Sequence, residues 1–185
     1  MKKILASITL FLVCLPTFAQ VKTPQASPKA SVTQTVGLTE VTIDYSRPSA
    51  KGRTIFGDLV TFGKLWRTGA NQNSMVTFSD DVVIDGKTLK KGKYAIFTTP
   101  KADSWDVFFY TDTQNWGNPE SWDDSKVALK TSVKPETLNR NVETFTIAIN
   151  NLDNNFAHLE ISWEKTIIAV KFEVPTNKTA MASID

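Results

Sequence analysis

The chain has 185 residues, 41% of them hydrophobic, and a formal net charge of +2 at pH 7. This length suits one domain with a substantial hydrophobic core. A nearly neutral surface argues against nucleic acid and against an anionic membrane as bulk partners.

Residues 1–19 have the pattern of a secretory signal peptide. Lys2 and Lys3 form a positive n-region, residues 4–15 are an apolar run, and Thr17-Phe18-Ala19 predicts cleavage after Ala19. The apolar run is too short to span a bilayer. We therefore expect a periplasmic or secreted protein, with no transmembrane segment in the mature chain.

Cleavage at this position changes the charge and the cysteine content. Lysine plus arginine falls from 21 to 19 when Lys2 and Lys3 are lost, which equals the 19 aspartates and glutamates. The single cysteine, Cys14, leaves with the signal. We expect a mature protein of zero formal charge with no disulfide, no thiolate nucleophile and no cysteine metal site.

The mature chain begins with a predicted flexible lead-in at residues 20–30, which contains Pro24 and Pro28. A predicted single domain follows at residues 31–175, in which apolar and polar residues alternate with period two. This alternation, with many β-branched residues, is typical of half-buried strands. Such runs occur at residues 32–36, 41–45, 76–78, 82–84, 94–98, 105–110, 127–133, 145–149, 157–163 and 168–174.

The segments between these runs carry turn signals. Asp85-Gly86 predicts a two-residue hairpin turn, because both positions accept a positive φ. One helical turn is expected at residues 55–60, and residues 176–185 are expected to form a polar tail. About nine to ten strands, with at most one or two short helical turns, predict an all-β fold: an antiparallel β-sandwich or a jelly-roll-like sandwich.

The chain concentrates unusual residues in one segment, residues 45–71. It reads Tyr45-Ser46-Arg47-Pro48, then Lys51-Gly52-Arg53-Thr54-Ile55-Phe56-Gly57, and finally Leu65-Trp66-Arg67-Thr68-Gly69-Ala70-Asn71. These motifs, in this order, resemble the signature of family 2911 of domains of unknown function. The resemblance continues through Gly92-Lys93-Tyr94 to Leu159-Glu160-Ile161-Ser162-Trp163-Glu164 and covers nearly the whole mature chain. It implies a secreted bacterial β-sandwich and implies no reaction.

The same segment supplies the candidate ligand site. Each guanidinium presents a planar fork suited to carboxylate or phosphate oxygens. The predicted ligand-binding residues are Tyr45, Arg47, Arg53, Trp66, Arg67 and Asn71, with the aromatic rings as walls and the asparagine for orientation. In the alternative, each arginine pairs with an internal carboxylate and ties the long loop to the sheet; the candidates are Asp44, Asp58, Glu143 and Glu164.

Other chemistry-bearing residues are better explained by structure. Trp66, Trp116 and Trp122 lie in predicted loops, where they would stack on sugar rings or plug the end of the sandwich. His158, the single histidine, is expected on the sheet surface with no catalytic partner. The acidic pairs lack calcium-loop spacing, so we expect no metal site and no cofactor.

These observations predict a binding module for a small anionic or sugar-like ligand. The first alternative is a non-catalytic structural or interaction protein of the cell envelope, in which the arginines are internal struts. The second alternative is a hydrolase, because paired carboxylates depend on the fold for their separation. The sequence favours no catalytic residue, and an enzyme is the weaker interpretation.

Overall fold

A computed structural model describes residues 23–184 and contains two antiparallel sheets. The six-stranded sheet has the order β1-β2-β3-β6-β7-β8, and the four-stranded sheet has the order β5-β4-β10-β9. The strands are β1 Lys29–Val36, β2 Thr39–Ser46, β3 Ser74–Phe78, β4 Val82–Ile84, β5 Lys87–Leu89, β6 Gly92–Pro100, β7 Trp105–Tyr110, β8 Val127–Val133, β9 Glu136–Asn150 and β10 Phe156–Glu173. A 3₁₀ turn at Asp124–Lys126 and a short helix, α1 (Thr176–Ala182), complete the described elements.

The prediction of an antiparallel, all-β fold is confirmed. The alternating residues of each strand send one set of side chains inward, as period-two patterning requires. The main core lies between the sheets: Ile43, Val76 and Phe109 come from the six-stranded sheet, and Ile147 and Phe172 come from the four-stranded sheet. All five are at most 1% exposed.

The six-stranded sheet is also covered on part of its outer face. Phe97 and Tyr110 form a second buried cluster there, and Trp122 packs against both rings. Strand β6 is therefore buried on both faces over most of its length. Trp122, from the polar loop of residues 111–123, and Leu65, from the arginine-rich loop, provide part of this cover.

The last third of the sandwich differs from the sequence prediction. Two long strands, β9 and β10, replace the three predicted strands. Buried positions in β10 are odd-numbered up to Trp163 and even-numbered from Ile168 onward. The change coincides with Glu164, which has a φ of 54°, and with shifts in the β9–β10 pairing register. A bulge changes which residues face the core without ending the strand, so the interrupted alternation resembled a turn.

Three local predictions can be compared with the structure. The Asp85-Gly86 turn is confirmed: φ is 51° and 71° at the two residues, and they join β4 to β5. The helical turn expected at residues 55–60 is wrong, because these residues form a non-helical turn closed by Val60 N–H to the carbonyl of Ile55. The predicted tail contains helix α1, whose short apolar pattern gave no periodic signal.

The N-terminal predictions fall partly outside the described residues. The signal peptide, its cleavage site and residues 20–22 of the lead-in lie there and stay predictions. Within the described lead-in, the carbonyl of Pro28 accepts a hydrogen bond from Arg47 N–H at 2.9 Å. No helix within residues 23–184 is long and apolar enough to cross a membrane.

The loop of residues 47–73 is anchored in the core by Ile55, which is 0% exposed. Replacing Ile55 with alanine leaves a cavity in that core, and we expect a loss of about 2–5 kcal/mol in the free energy of unfolding. Chemical denaturation measures this loss. Leu38→Ala is the matched control: its side chain is 54% exposed, so its effect should stay within about 0.5 kcal/mol. Equal effects of the two substitutions would contradict the anchoring role.

Candidate functional site

The arginine-rich loop leaves the six-stranded sheet and pairs at once with the four-stranded sheet. The N–H of Ala50 donates to the carbonyl of Glu143 at 2.8 Å, and the N–H of Phe145 donates to the carbonyl of Pro48 at 2.8 Å. Ser49 and Thr144 form an antiparallel bridge between these bonds. The segment 48–50 thus acts as a short extra strand beside β9, and it joins the two sheets at one end of the sandwich.

A tight turn follows this pairing. Lys51 and Gly52 have φ values of 51° and 72°, and the N–H of Arg53 donates to the carbonyl of Ala50 at 3.1 Å. Positive φ at both central residues is the geometry of a type I′ turn. Lysine rarely adopts this conformation. The turn fixes the backbone positions of Lys51 and Arg53, from which their side chains extend.

The returning half of the loop is fixed to β6. Trp66 and Thr98 exchange two backbone hydrogen bonds, at 2.8 and 2.9 Å. Gly69 then passes so close to Ser74 that a Cβ atom at this glycine would lie 2.8 Å from the serine Oγ. Its φ of 138° also disfavours any other residue. Arg67 is therefore held between two rigid points of backbone.

A cleft of about 620 Å³ opens between the two halves of the loop. Its described lining contains three cationic side chains and no carboxylate. Trp66 and Trp163 form part of its wall, with ring centroids 6.1 Å apart and planes 17° from parallel. The lining residues are Ala26, Ser27, Pro48, Ser49, Lys51, Arg53, Leu59, Val60, Trp66, Arg67, Gly69, Ala70 and Trp163. The cleft is a cationic, aromatic-walled depression.

Three of the six residues predicted to bind a ligand line this cleft: Arg53, Trp66 and Arg67. Arg53 donates from Nε to the carbonyl of Ala50 at 2.9 Å and from Nη2 to the carbonyl of Ser49 at 2.7 Å. These bonds use two of its five N–H donors. The Nε of Arg67 is buried and has no hydrogen-bond partner among the residues that the structure describes.

The other three predicted residues are not among those that line the cleft. Arg47 donates from Nε to the carbonyl of Phe145 at 3.1 Å and from Nη2 to the Thr146 hydroxyl at 2.9 Å. Tyr45 is 5% exposed and packs edge-on against the Phe145 ring. Asn71 donates to the carbonyl of Ser27 at 3.2 Å. The structure thus gives these three residues contacts within the protein itself.

The alternative in which arginines pair with carboxylates does not match the described contacts. Within residues 23–184, every ion pair shorter than 4.0 Å is made by a lysine. Glu143 accepts from the backbone N–H of Lys51, and Glu164 accepts from that of Ile55. Arg47 and Arg53 do tie the loop down, but through carbonyl and hydroxyl oxygens. The expected carboxylate partners were therefore wrong.

The sequence prediction missed Lys51 and Trp163. Lys51 stands directly before Gly52 in the same Lys-Gly-Arg motif as Arg53. The glycine is a turn signal, and a turn at this place would have put Lys51 beside Arg53. Trp163 was assigned to the core, which is correct for most of its surface since it is 2% exposed. Its place beside Trp66 depends on pairing between distant parts of the chain, for which no local signal exists.

The remaining candidates lie elsewhere. His158 is half-buried on the outer face of β10, where its Nε2 lies 3.4 Å from the side-chain nitrogen of Asn151. Trp122 stacks on Tyr110 with ring centroids 4.5 Å apart, and Trp116 is 72% exposed. The described residues include no group of three or more acidic or histidine side chains placed to hold a metal ion.

The two sheets and the cleft define an antiparallel β-sandwich protein with a cationic site at one end. Residues 27–172 match the family described as Protein of unknown function (DUF2911), and the chain belongs to this family. The resemblance found in the sequence is thereby confirmed. Comparisons with curated proteins and with solved structures found no match. The family description names no ligand or reaction, so the function is argued from the cleft.

Arginine-to-methionine substitutions test which arginines stabilise the loop and which only place a positive charge in the cleft. Arg47→Met removes two hydrogen bonds from a charged donor, and we expect a loss of about 1–3 kcal/mol in the free energy of unfolding. Arg67→Met removes no described partner, so its effect should stay within about 1 kcal/mol. Chemical denaturation of both variants measures the difference.

Arg140→Met, on the exposed side of β9, is the control for loss of one positive charge. A loss of several kcal/mol on Arg67→Met would contradict this assignment, because it would reveal a buried partner left uncompensated.

Proposed function

We propose that this protein is an exported binding protein whose cleft holds a small anion with a ring-shaped or apolar body. The observation that carries the proposal is the composition of the cleft: Lys51, Arg53 and Arg67 line it, and no described lining residue is acidic. Cations gathered in a concave site without carboxylates raise the local concentration of anions. A carboxylate or a phosphate group is the chemistry that fits.

The free donors of Arg53 support the same proposal. Arg53 retains three N–H donors beyond the two that hold the turn. An anion with two or three oxygens would satisfy these donors, and the planar guanidinium suits bidentate contact. Arg67 adds its positive charge to the lining, although its buried Nε, which has no partner among the described residues, is closed to a ligand.

The size and walls of the cleft favour a small molecule over a macromolecule. Small-molecule sites are typically about 300–1,000 Å³ and combine apolar walls with a few polar groups. The cleft of about 620 Å³ lies in this range. Trp66, Leu59 and Val60 supply apolar wall, against which the ring of a sugar acid or a sugar phosphate would pack.

Export rests on the sequence of residues 1–19, with its positive start, apolar run and small residues before Ala19. An exported binding protein of this kind would meet small solutes of the periplasm or the surroundings. The ligand class is therefore proposed as sugar acids and sugar phosphates, and inorganic phosphate serves as the probe for the phosphate group alone.

Thermal shift and calorimetric titration test the ligand class. The probes are glucuronate, glucose 6-phosphate and inorganic phosphate, with glucose as the uncharged control. We expect at least one anion to raise the melting temperature by an amount that Arg67→Met reduces, whereas any shift caused by glucose should be the same in the wild type and in Arg67→Met. Arg67→Met should weaken the binding of that anion about tenfold or more, because each factor of ten is about 1.4 kcal/mol. Added salt should weaken it as well.

The control is Arg140→Met, which removes the same charge from an exposed position outside the cleft and should leave the affinity unchanged. The proposal fails if glucose binds as tightly as the anions and loses affinity with Arg67→Met to the same extent. It also fails if the two arginine variants lose affinity equally, since that outcome would indicate attraction by net charge rather than by a site.

A further inference from the structure

Trp116 differs from the other tryptophans of the chain because its ring is left in solvent. It is 72% exposed, whereas Trp105 and Trp163 are 1% and 2% exposed. Trp66 and Trp122 each pack against other aromatic rings. An exposed indole forgoes the burial that would stabilise the fold. It also leaves an aromatic face open on which the face of a sugar ring could stack.

The backbone around Trp116 is fixed, so the exposure is built into the fold. Trp116 forms an antiparallel bridge with Gln72. The side chain of Asn73, itself 2% exposed, donates to the carbonyl of Gly117 at 2.9 Å. Asn118 donates to the carbonyl of Leu65 at 2.8 Å. The loop is thus tied to the arginine-rich segment on both sides of the tryptophan, and the indole is presented by a rigid support.

Beside the indole lies a polar groove of about 530 Å³. Three planar amides line it, together with two carboxylates and one ammonium group. These residues are Gln114, Asn115, Asn118, Asp112, Glu120 and Lys126. Each amide nitrogen already donates one hydrogen bond within the protein, which leaves one N–H and the side-chain oxygen of each amide for a ligand. Each carboxylate is an acceptor. Hydroxyl groups donate and accept in the same way, so neighbouring hydroxyls on one ring are well matched to this lining.

The acidic side of the groove is held in its ionised form. Asp112 accepts a hydrogen bond from Lys126 Nζ at 2.9 Å and another from the N–H of Gln114 at 3.2 Å. These bonds, the lysine bond first, lower the pKa of the Asp112 carboxyl. With two carboxylates and one ammonium group, the charged side chains that line the groove have a net negative charge. This charge disfavours an anionic partner such as a nucleic acid.

We propose that Trp116 and this groove form a carbohydrate-binding site, in which the face of a neutral pyranose ring packs on the indole and its hydroxyls bond to the amides and carboxylates. The groove shares no lining residue with the cationic cleft, and the proposal does not rest on the function of that cleft.

A protein partner fits this groove less well than a carbohydrate. Protein interfaces have an apolar centre, and none of the other exposed large hydrophobic residues of the described chain lines this groove.

Calorimetric titration with maltotetraose, cellotetraose and chitotetraose tests the proposal on the full mature protein. We expect at least one of these neutral tetrasaccharides to bind. Trp116→Ala should weaken it about tenfold or more, whereas Trp116→Phe, which keeps an aromatic face, should weaken it less. Because the side chain is exposed, neither substitution should move the melting temperature appreciably.

Two further variants keep the outcome specific. Leu152→Ala removes an exposed apolar side chain elsewhere and should leave tetrasaccharide affinity unchanged. Lys51→Met, which removes an exposed charge from the cleft, should also leave it unchanged. The proposal is overturned if no tetrasaccharide binds at millimolar concentration, or if affinity survives Trp116→Ala. Loss on Lys51→Met with no loss on Trp116→Ala would overturn it as well and would assign the sugar to the cleft. Anion binding at the cleft is read independently with glucuronate and the phosphates.

Discussion

The backbone pairing between segment 48–50 and strand β9 is the constraint on which the site depends. The chain leaves β2 in one sheet and forms hydrogen bonds with Glu143 and Phe145 in the other sheet before it turns. A loop of this length would otherwise carry many unpaired backbone groups, which are costly away from water. The pairing satisfies backbone groups of Pro48 and Ala50 and fixes the outgoing half of the loop, and the two bonds between Trp66 and Thr98 fix the returning half. The cleft is the space that remains between those halves.

The way the arginines are satisfied determines the electrostatics of that space. Arg47 and Arg53 bond to carbonyl and hydroxyl oxygens, which align the side chains without cancelling their charge. A carboxylate partner would have tied the loop equally well and left the region neutral. Glu143 and Glu164 accept from backbone N–H groups, and no described carboxylate forms an ion pair with Arg53 or Arg67, so the guanidinium groups of both arginines are not occupied by an acid. Arg53 can therefore stabilise the loop and still place its positive charge in the cleft.

Period-two alternation was sufficient to predict the sandwich, because a half-buried strand must send every second side chain to the core. It failed at Glu164, where a bulge moves the alternation by one residue inside a single strand. The sequence also identified the segment that forms the cleft. It could not say which arginines meet there: Arg47 is held by Phe145, about a hundred positions along the chain, and such pairing has no local signature.

The cationic cleft and the groove at Trp116 are distinguished by charge more than by shape. Both combine an indole with polar groups, and both depend on segment 65–73, since Asn118 bonds to Leu65 and Gly117 bonds to Asn73. In the cleft the polar groups are donors with positive charge, which select anions and repel cations. In the groove amides and carboxylates dominate, so an anion meets repulsion and an uncharged polyol meets matched donors and acceptors. Segment 65–73 can therefore support one surface that attracts anions and another that repels them. Its backbone contacts hold both surfaces in place, and the charges of the side chains decide what each surface attracts.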